Sequence, residues 1–133
     1  MSLLLNIIMK AAVLWSITTL SYAQRYWLSP DRKTFKEAFE VCQEKGKDLA
    51  TPFSRDENAR IRAFISTEEW VYIGLTDRHS EGNWTTLNGA ALSYQNWDPA
   101  SDLPFTANCA TMHSTNSTWF EVDCNAEHRF LCG

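Results

Sequence analysis

The sequence predicts an α+β fold: two capped amphipathic segments come first, short β-branched and aromatic runs follow, and the cysteine count is even at four. Tyr26-Trp27-Leu28 reads as a short strand, with Ser29-Pro30-Asp31 as the turn after it. Thr34 and Glu37 then stand at capping-box spacing, in which each side chain satisfies a free backbone N–H of the other. Phe35, Ala38, Phe39 and Cys42 recur at helical spacing behind them, and Gly46 supplies the left-handed stop. Leu49-Ala50-Thr51-Pro52 leads into a second box, Ser54 with Glu57, and Ile61, Phe64 and Ile65 mark the buried face of the helix it opens. After Thr67 the pattern changes to strands and turns. Trp70-Val71-Tyr72-Ile73-Gly74-Leu75 is the strongest strand, and Cys109-Ala110-Thr111-Met112, Trp119-Phe120-Glu121-Val122 and Phe130-Leu131-Cys132 are the others. Between Tyr94 and Asn108 lies an irregular stretch holding Pro99 and Pro104, and a loop this long in so small a domain usually carries function.

Composition narrows the class. The chain has 133 residues, 12 Lys+Arg against 16 Asp+Glu, and 44% hydrophobic residues, enough for one folded domain. Its net charge of −4 and the lack of any basic block longer than Arg32-Lys33 give no footprint for nucleic acid or an anionic membrane. Aromatics make up 13%, six of them Trp, which excludes a disordered chain.

The apolar run from Ala11 to Leu20, behind Lys10 and ahead of Ser21-Tyr22-Ala23, reads as an export signal cleaved after Ala23. Met1 and Met9 both suit as its start. Lys10 and Asn6 keep the continuous run well short of the ~20 apolar residues of a membrane span, so no anchor is expected. The domain then runs from 24 to 133, secreted and extracellular. In an exported chain Cys42, Cys109, Cys124 and Cys132 read as disulfides, with three pairings open; zinc would need close Cys-x-x-Cys pairs, and there are none. The first and last cysteines fall on the first helix and the last strand, which invites a staple between chain ends.

Several motifs now stand in one order. Val71-Tyr72-Ile73-Gly74-Leu75, Glu81-Gly82-Asn83-Trp84, Tyr94-Gln95-Asn96-Trp97, and the ending Trp119 to Cys124 followed by Phe130-Leu131-Cys132 resemble the C-type lectin-like domain in its short, two-disulfide form. The resemblance covers nearly all of residues 25–133. It implies two helices, small antiparallel sheets and a long irregular binding loop, Cys42–Cys132 and Cys109–Cys124 pairing, and ligand binding on the Tyr94–Asn108 segment. Trp70, Trp84, Trp97 and Trp119 are expected in the core, and Gly74 and Gly82 as backbone requirements. The motifs therefore argue for fold, and function must be argued from the loop.

Sugar-binding members of that family hold Ca²⁺, a hard ion taking about 6–8 oxygens. With Pro104 as the family's proline, its flanking ligand positions hold Leu103 and Phe105; with Pro99 instead, they hold Asp98 and Ala100. Ala107 stands two before Cys109, and the family's Trp-Asn-Asp triplet reads Trp119-Phe120-Glu121, leaving Glu121 as the one carboxylate. A second, structural Ca²⁺ position matches Asp77 and Glu81, with Asn108 adding an amide oxygen and Thr106 replacing an acid.

The expectation is a recognition module for a glycan or glycoprotein, using Leu103, Phe105 and Phe120 largely without Ca²⁺ and requiring no cofactor. The alternatives are a Ca²⁺-dependent lectin with a rearranged set, Asp98, Asp102, Asn108 and Glu121, and a non-sugar protein-binding module in immunity or anti-haemostasis, both uses that the resemblance implies. Catalysis is not expected. His79, His113 and His128 stand apart, there is no His-Glu-x-x-His, and the thiols are expected oxidised. Asn83-Trp84-Thr85 and Asn116-Ser117-Thr118 are glycosylation sequons, the second in the more accessible, polar setting.

Overall fold

The structure is a computed structural model in which residues 25–101 and 107–133 are described. The expected export signal at 1–23 lies outside them. The elements run β1 (Trp27–Leu28), α1 (Phe35–Glu44), α2 (Arg55–Phe64), β2 (Trp70–Thr76), β3 (Thr85–Thr86), β4 (Cys109–His113), β5 (Trp119–Val122) and β6 (Arg129–Cys132). The strands join in the order β1-β6-β2-β4-β5, with β3 paired beside β2. One parallel pairing, Val71 with Arg129 and Tyr72 with Phe130, merges the small antiparallel sheets expected into a single mixed sheet.

Helix α1 starts as read. Thr34 Oγ1 accepts from the Glu37 N–H, Glu37 returns the bond to the Thr34 N–H at 3.1 Å, and Gly46 takes φ +68°. The bond from the Thr34 hydroxyl holds the exposed Glu37 carboxyl below its ordinary value. The second box forms only by half. Ser54 Oγ accepts from the Glu57 N–H at 3.1 Å, but the Glu57 carboxylate is buried and engaged by Arg25 at 2.9 Å, Arg60 at 3.1 Å and the Tyr26 hydroxyl. Three stronger partners displace the local one. Burial, then the Glu57 carboxylate, push the Tyr26 phenol up to about 12.

Alternation along β2 divides the core. Val71, Ile73 and Leu75 face α2, where they meet Ile61, Ile65, Ala110, Met112, Trp119 and Leu131. Tyr72 faces α1 and meets Phe35, Ala38, Leu49 and Phe130 together with all four cysteines. These close as Cys42–Cys132 and Cys109–Cys124. Phe64, read as part of the buried face of its helix, is 37% exposed, and so is Phe39 on α1. Each lies at the margin of its helix's apolar stripe, and Phe64 packs on Tyr26 at 5.7 Å instead.

Gly74 marks a break in the ladder between β2 and β4, where the register shifts between Ile73 and Thr76. Its N–H turns to Ala50 O at 2.8 Å, and a Cβ there would stand 2.6 Å from Leu49 O, closer than any real contact. Only glycine permits that approach. Beyond the break, Leu75 and Thr76 pair with β3, a two-residue strand too short for alternation to reveal.

Candidate functional site

The described part of the long segment hangs on Trp119. This side chain is fully buried, and its indole N–H donates to Asn58 Oδ1 on α2 at 2.8 Å. Its backbone N–H donates to Asn96 O, and its carbonyl accepts from the Asp98 N–H, both at 2.9 Å. Trp97 lies edge-on to its ring at 5.4 Å and against Trp84 at 4.6 Å, while Tyr94 packs edge-on at 5.8 Å. Trp84 and Trp97 thus join the core at its margin, half-buried.

Trp70 departs from the core expectation, at 36% exposed. The β4–β5 register explains why. Trp70 pairs with His113, Tyr72 with Thr111 and Thr111 with Phe120, so all five side chains share the α1 face, and Trp70 lies at the end of β2 that α1 leaves uncovered. Phe120 packs on Trp70 with ring centroids 4.3 Å apart. It therefore faces away from Trp97 and Trp119.

Of the other residues singled out from the sequence, Leu103, Phe105 and Asp102 lie outside the described residues. Asp98 Oδ1 accepts from the Ala100 N–H at 2.9 Å, and Oδ2 lies 3.3 Å from Thr118 Oγ1, whose single proton has the nearer Asn116 Oδ1 as its acceptor. Ala107 is buried, and the Glu121 backbone N–H donates to Ser101 Oγ at 2.9 Å. Sequence reading missed Asn58 and Asn96, whose side-chain amides both donate to Ser117 O, at 3.2 and 2.8 Å.

At the foot of the segment the structure brings Asp77 and Asn108 together. The Asp77 N–H donates to Asn108 O at 3.4 Å, and Thr76 Oγ1 donates to the same oxygen at 2.8 Å. Asp77 is 3% exposed; its Oδ2 accepts from the Gly82 N–H at 2.9 Å, while its Oδ1 and Asn108 Oδ1 are buried with no hydrogen-bond partner. Buried oxygens left this way are costly, and they are the donor type that Ca²⁺ takes. Glu81 is exposed nearby in the chain. These residues fit part of a coordination sphere, and the described residues contain no group of three or more His, Cys, Asp or Glu that would hold a metal.

The histidines have separate surroundings. His79 is exposed after β2, His113 lies on Trp70 at 4.5 Å, and His128 lies edge-on to Tyr72 at 5.0 Å. Burial first, and Arg32 second, lower the His128 pKa. Asn83 and Asn116 are both exposed. Asn116 Oδ1 accepts from Thr118 Oγ1 at 2.7 Å and from its N–H at 3.2 Å, a turn closed within the sequon.

The Lectin C-type domain family matches residues 31–133. Human tetranectin is 33% identical over 109 residues, covering 75% of this chain and 54% of tetranectin, and the mannose-binding protein of Gallus gallus is 29% identical, covering 68% of this chain and 36% of that protein. The chain thus spans about half the length, or less, of these relatives. Among solved structures, the carbohydrate-recognition domain of the mouse scavenger receptor C-type lectin aligns at TM-score 0.73 and 27% identity, covering 80% of this chain and 86% of that one. A calcium-independent type II antifreeze protein aligns at TM-score 0.72 and 25% identity, covering 80% and 82%. Among the described residues, no helix is long and apolar enough to cross a membrane.

Proposed function

Since the chain belongs to the C-type lectin domain family, we propose that it is a secreted, non-enzymatic recognition module that binds a glycan or glycoprotein through the 94–108 segment, largely without Ca²⁺. Oxygen supply carries this reading. The positions at which the resemblance puts metal ligands hold Leu103, Phe105 and Ala107, and Asp98 Oδ1 already accepts from the Ala100 N–H of its own turn. Apolar side chains at such positions suit contact with an apolar sugar face or a protein surface rather than chelation. A relative named for mannose binding and a structural neighbour named for calcium independence agree with the two halves of the reading. Phe120 packs on Trp70 on the sheet face away from Trp97 and Trp119, so its part in that contact set is the least supported.

The orphaned Asp77 Oδ1 and Asn108 Oδ1 favour a second reading, in which Ca²⁺ is held at the foot of the segment and orders it for binding. A glycan array run with Ca²⁺ and then with chelator separates the two. Binding that survives chelation and falls about tenfold or more in Leu103→Ala/Phe105→Ala, as lost apolar anchors would produce, is the expected result. Binding abolished by chelator and restored by Ca²⁺ would overturn the Ca²⁺-independent reading.

A further inference from the structure

A groove of about 590 Å³ runs between α2 and the β4–β5 turn. Its α2 wall carries Arg55 and Arg62, seven residues apart and so on one helical face, with Ala59 between them and Ala63 beside Arg62. The small alanine side chains leave a floor beside the two guanidinium groups. The opposite wall is polar, supplied by Ser114, Asn116 and Ser117 of the turn, and Tyr94 and Asn96 close one end. In a chain with 16 acids against 12 basic residues, the lining holds two arginines and no carboxylate.

The groove is built, not incidental to a loose surface. Arg62 Nε donates to Ser114 O at 3.1 Å, and its Nη2 to Thr115 O, so the helix is clamped to the turn and one guanidinium is fixed in place. Asn58 and Asn96 reach Ser117 O from below and fix the floor. Arg55, by contrast, has no ion-pair or hydrogen-bond partner among the described residues, and neither does the Tyr94 hydroxyl. Fixed positive charge, an unengaged guanidinium and phenol, and polar walls define the complementary ligand: hydroxyl-rich, with an anionic group.

We propose that this groove binds an acidic saccharide, its sulfate or carboxylate held by Arg55 and Arg62 and its ring laid over Ala59 and Ala63 toward Tyr94. Its lining includes none of the residues singled out as metal ligands, so it works in chelator; it shares only Tyr94 and Asn96 with the 94–108 segment.

The test is titration calorimetry on the full chain in chelator, with a heparin-derived oligosaccharide, a sialylated oligosaccharide and a neutral oligosaccharide of equal length. Because Asn116 borders the groove, the chain is titrated before and after enzymatic removal of N-glycans. At least one acidic ligand is expected to bind about tenfold or more tightly than the neutral one, weakening as salt is raised. Which one binds assigns sulfate or carboxylate. Arg55→Ala should weaken it about tenfold and Tyr94→Phe less, while Arg32→Ala, on a distant exposed turn, changes nothing. No preference for acidic over neutral ligand in either glycosylation state, or equal effects of the Arg55 and Arg32 variants, would overturn the proposal.

Discussion

The two faces of the sheet are held by different means. On the α1 face both disulfides are buried within one cluster, tying α1 to β6 and β4 to the turn before β6, and the Tyr72 hydroxyl donates to Asp123 O at 3.1 Å to secure that turn. On the α2 face no covalent bond reaches across. There Trp119 fills the core and carries the hydrogen bonds to α2 and to the 94–101 stretch. The α1 face is thus a fixed base, and the α2 face is where the surface loops are coupled to the interior through one indole.

The largest perturbation should come from the base. Cys42–Cys132 spans 90 residues and Cys109–Cys124 spans 15, so chain-entropy arguments give losses of about 4.5 and about 3 kcal/mol for the paired alanine variants. Denaturant unfolding measures both. Equal losses, or an inverted order, would break the loop-length account.

A smaller loss with a different signature is expected on the other face. Trp119→Phe keeps a ring but leaves Asn58 Oδ1 buried without its donor, at a cost of about 1–3 kcal/mol plus a cavity contribution. Hydrogen exchange should quicken at the Asp98 and Trp119 amides in this variant. In the Cys109→Ala/Cys124→Ala variant those amides should stay protected relative to the rest of the domain. Faster exchange there only in the disulfide variant would reverse the assignment of roles.

The smallest effect depends on pH. Burial lowers the folded-state pKa of His128 below the ordinary 6.5, so the unfolded chain binds more protons in that window and stability falls as pH drops through it. Thermal unfolding from about pH 7.5 to about pH 5.5 should show this slope, and His128→Gln should flatten it. An unchanged slope would place the sensitivity elsewhere, on the other charged groups around the base.

Local rules were the legible part of the sequence. Thr34 with Glu37, the stop at Gly46 and the β-branched, aromatic run of β2 depend on neighbours within a few residues, and each stands as read. Apart from Phe64, at the margin of its helix's apolar stripe, the misreadings involve distant partners. Glu57 at cap spacing is taken by Tyr26 and Arg25, which lie more than 30 residues away in the chain but beside it in the fold. Trp70 and Phe120 are aromatic residues in strands, and only the register shows that they share a face beyond the reach of α1. In the candidate site, the match of Asp77 and Glu81, with Asn108 as an added oxygen, was visible, but the orphaned oxygens of Asp77 and Asn108 were not. The arginine groove was not legible at all, because the β4–β5 turn that walls it follows α2 by some 50 residues.

Strand β1 lies antiparallel against β6, Trp27 opposite Cys132 and Leu28 opposite Leu131. The polypeptide accordingly comes in and goes out at adjacent points, separated by the ~5 Å between paired strands. A domain wired in this way can be grafted into an exposed loop of a host protein as a cassette, without stretching the host backbone or threading the graft through it.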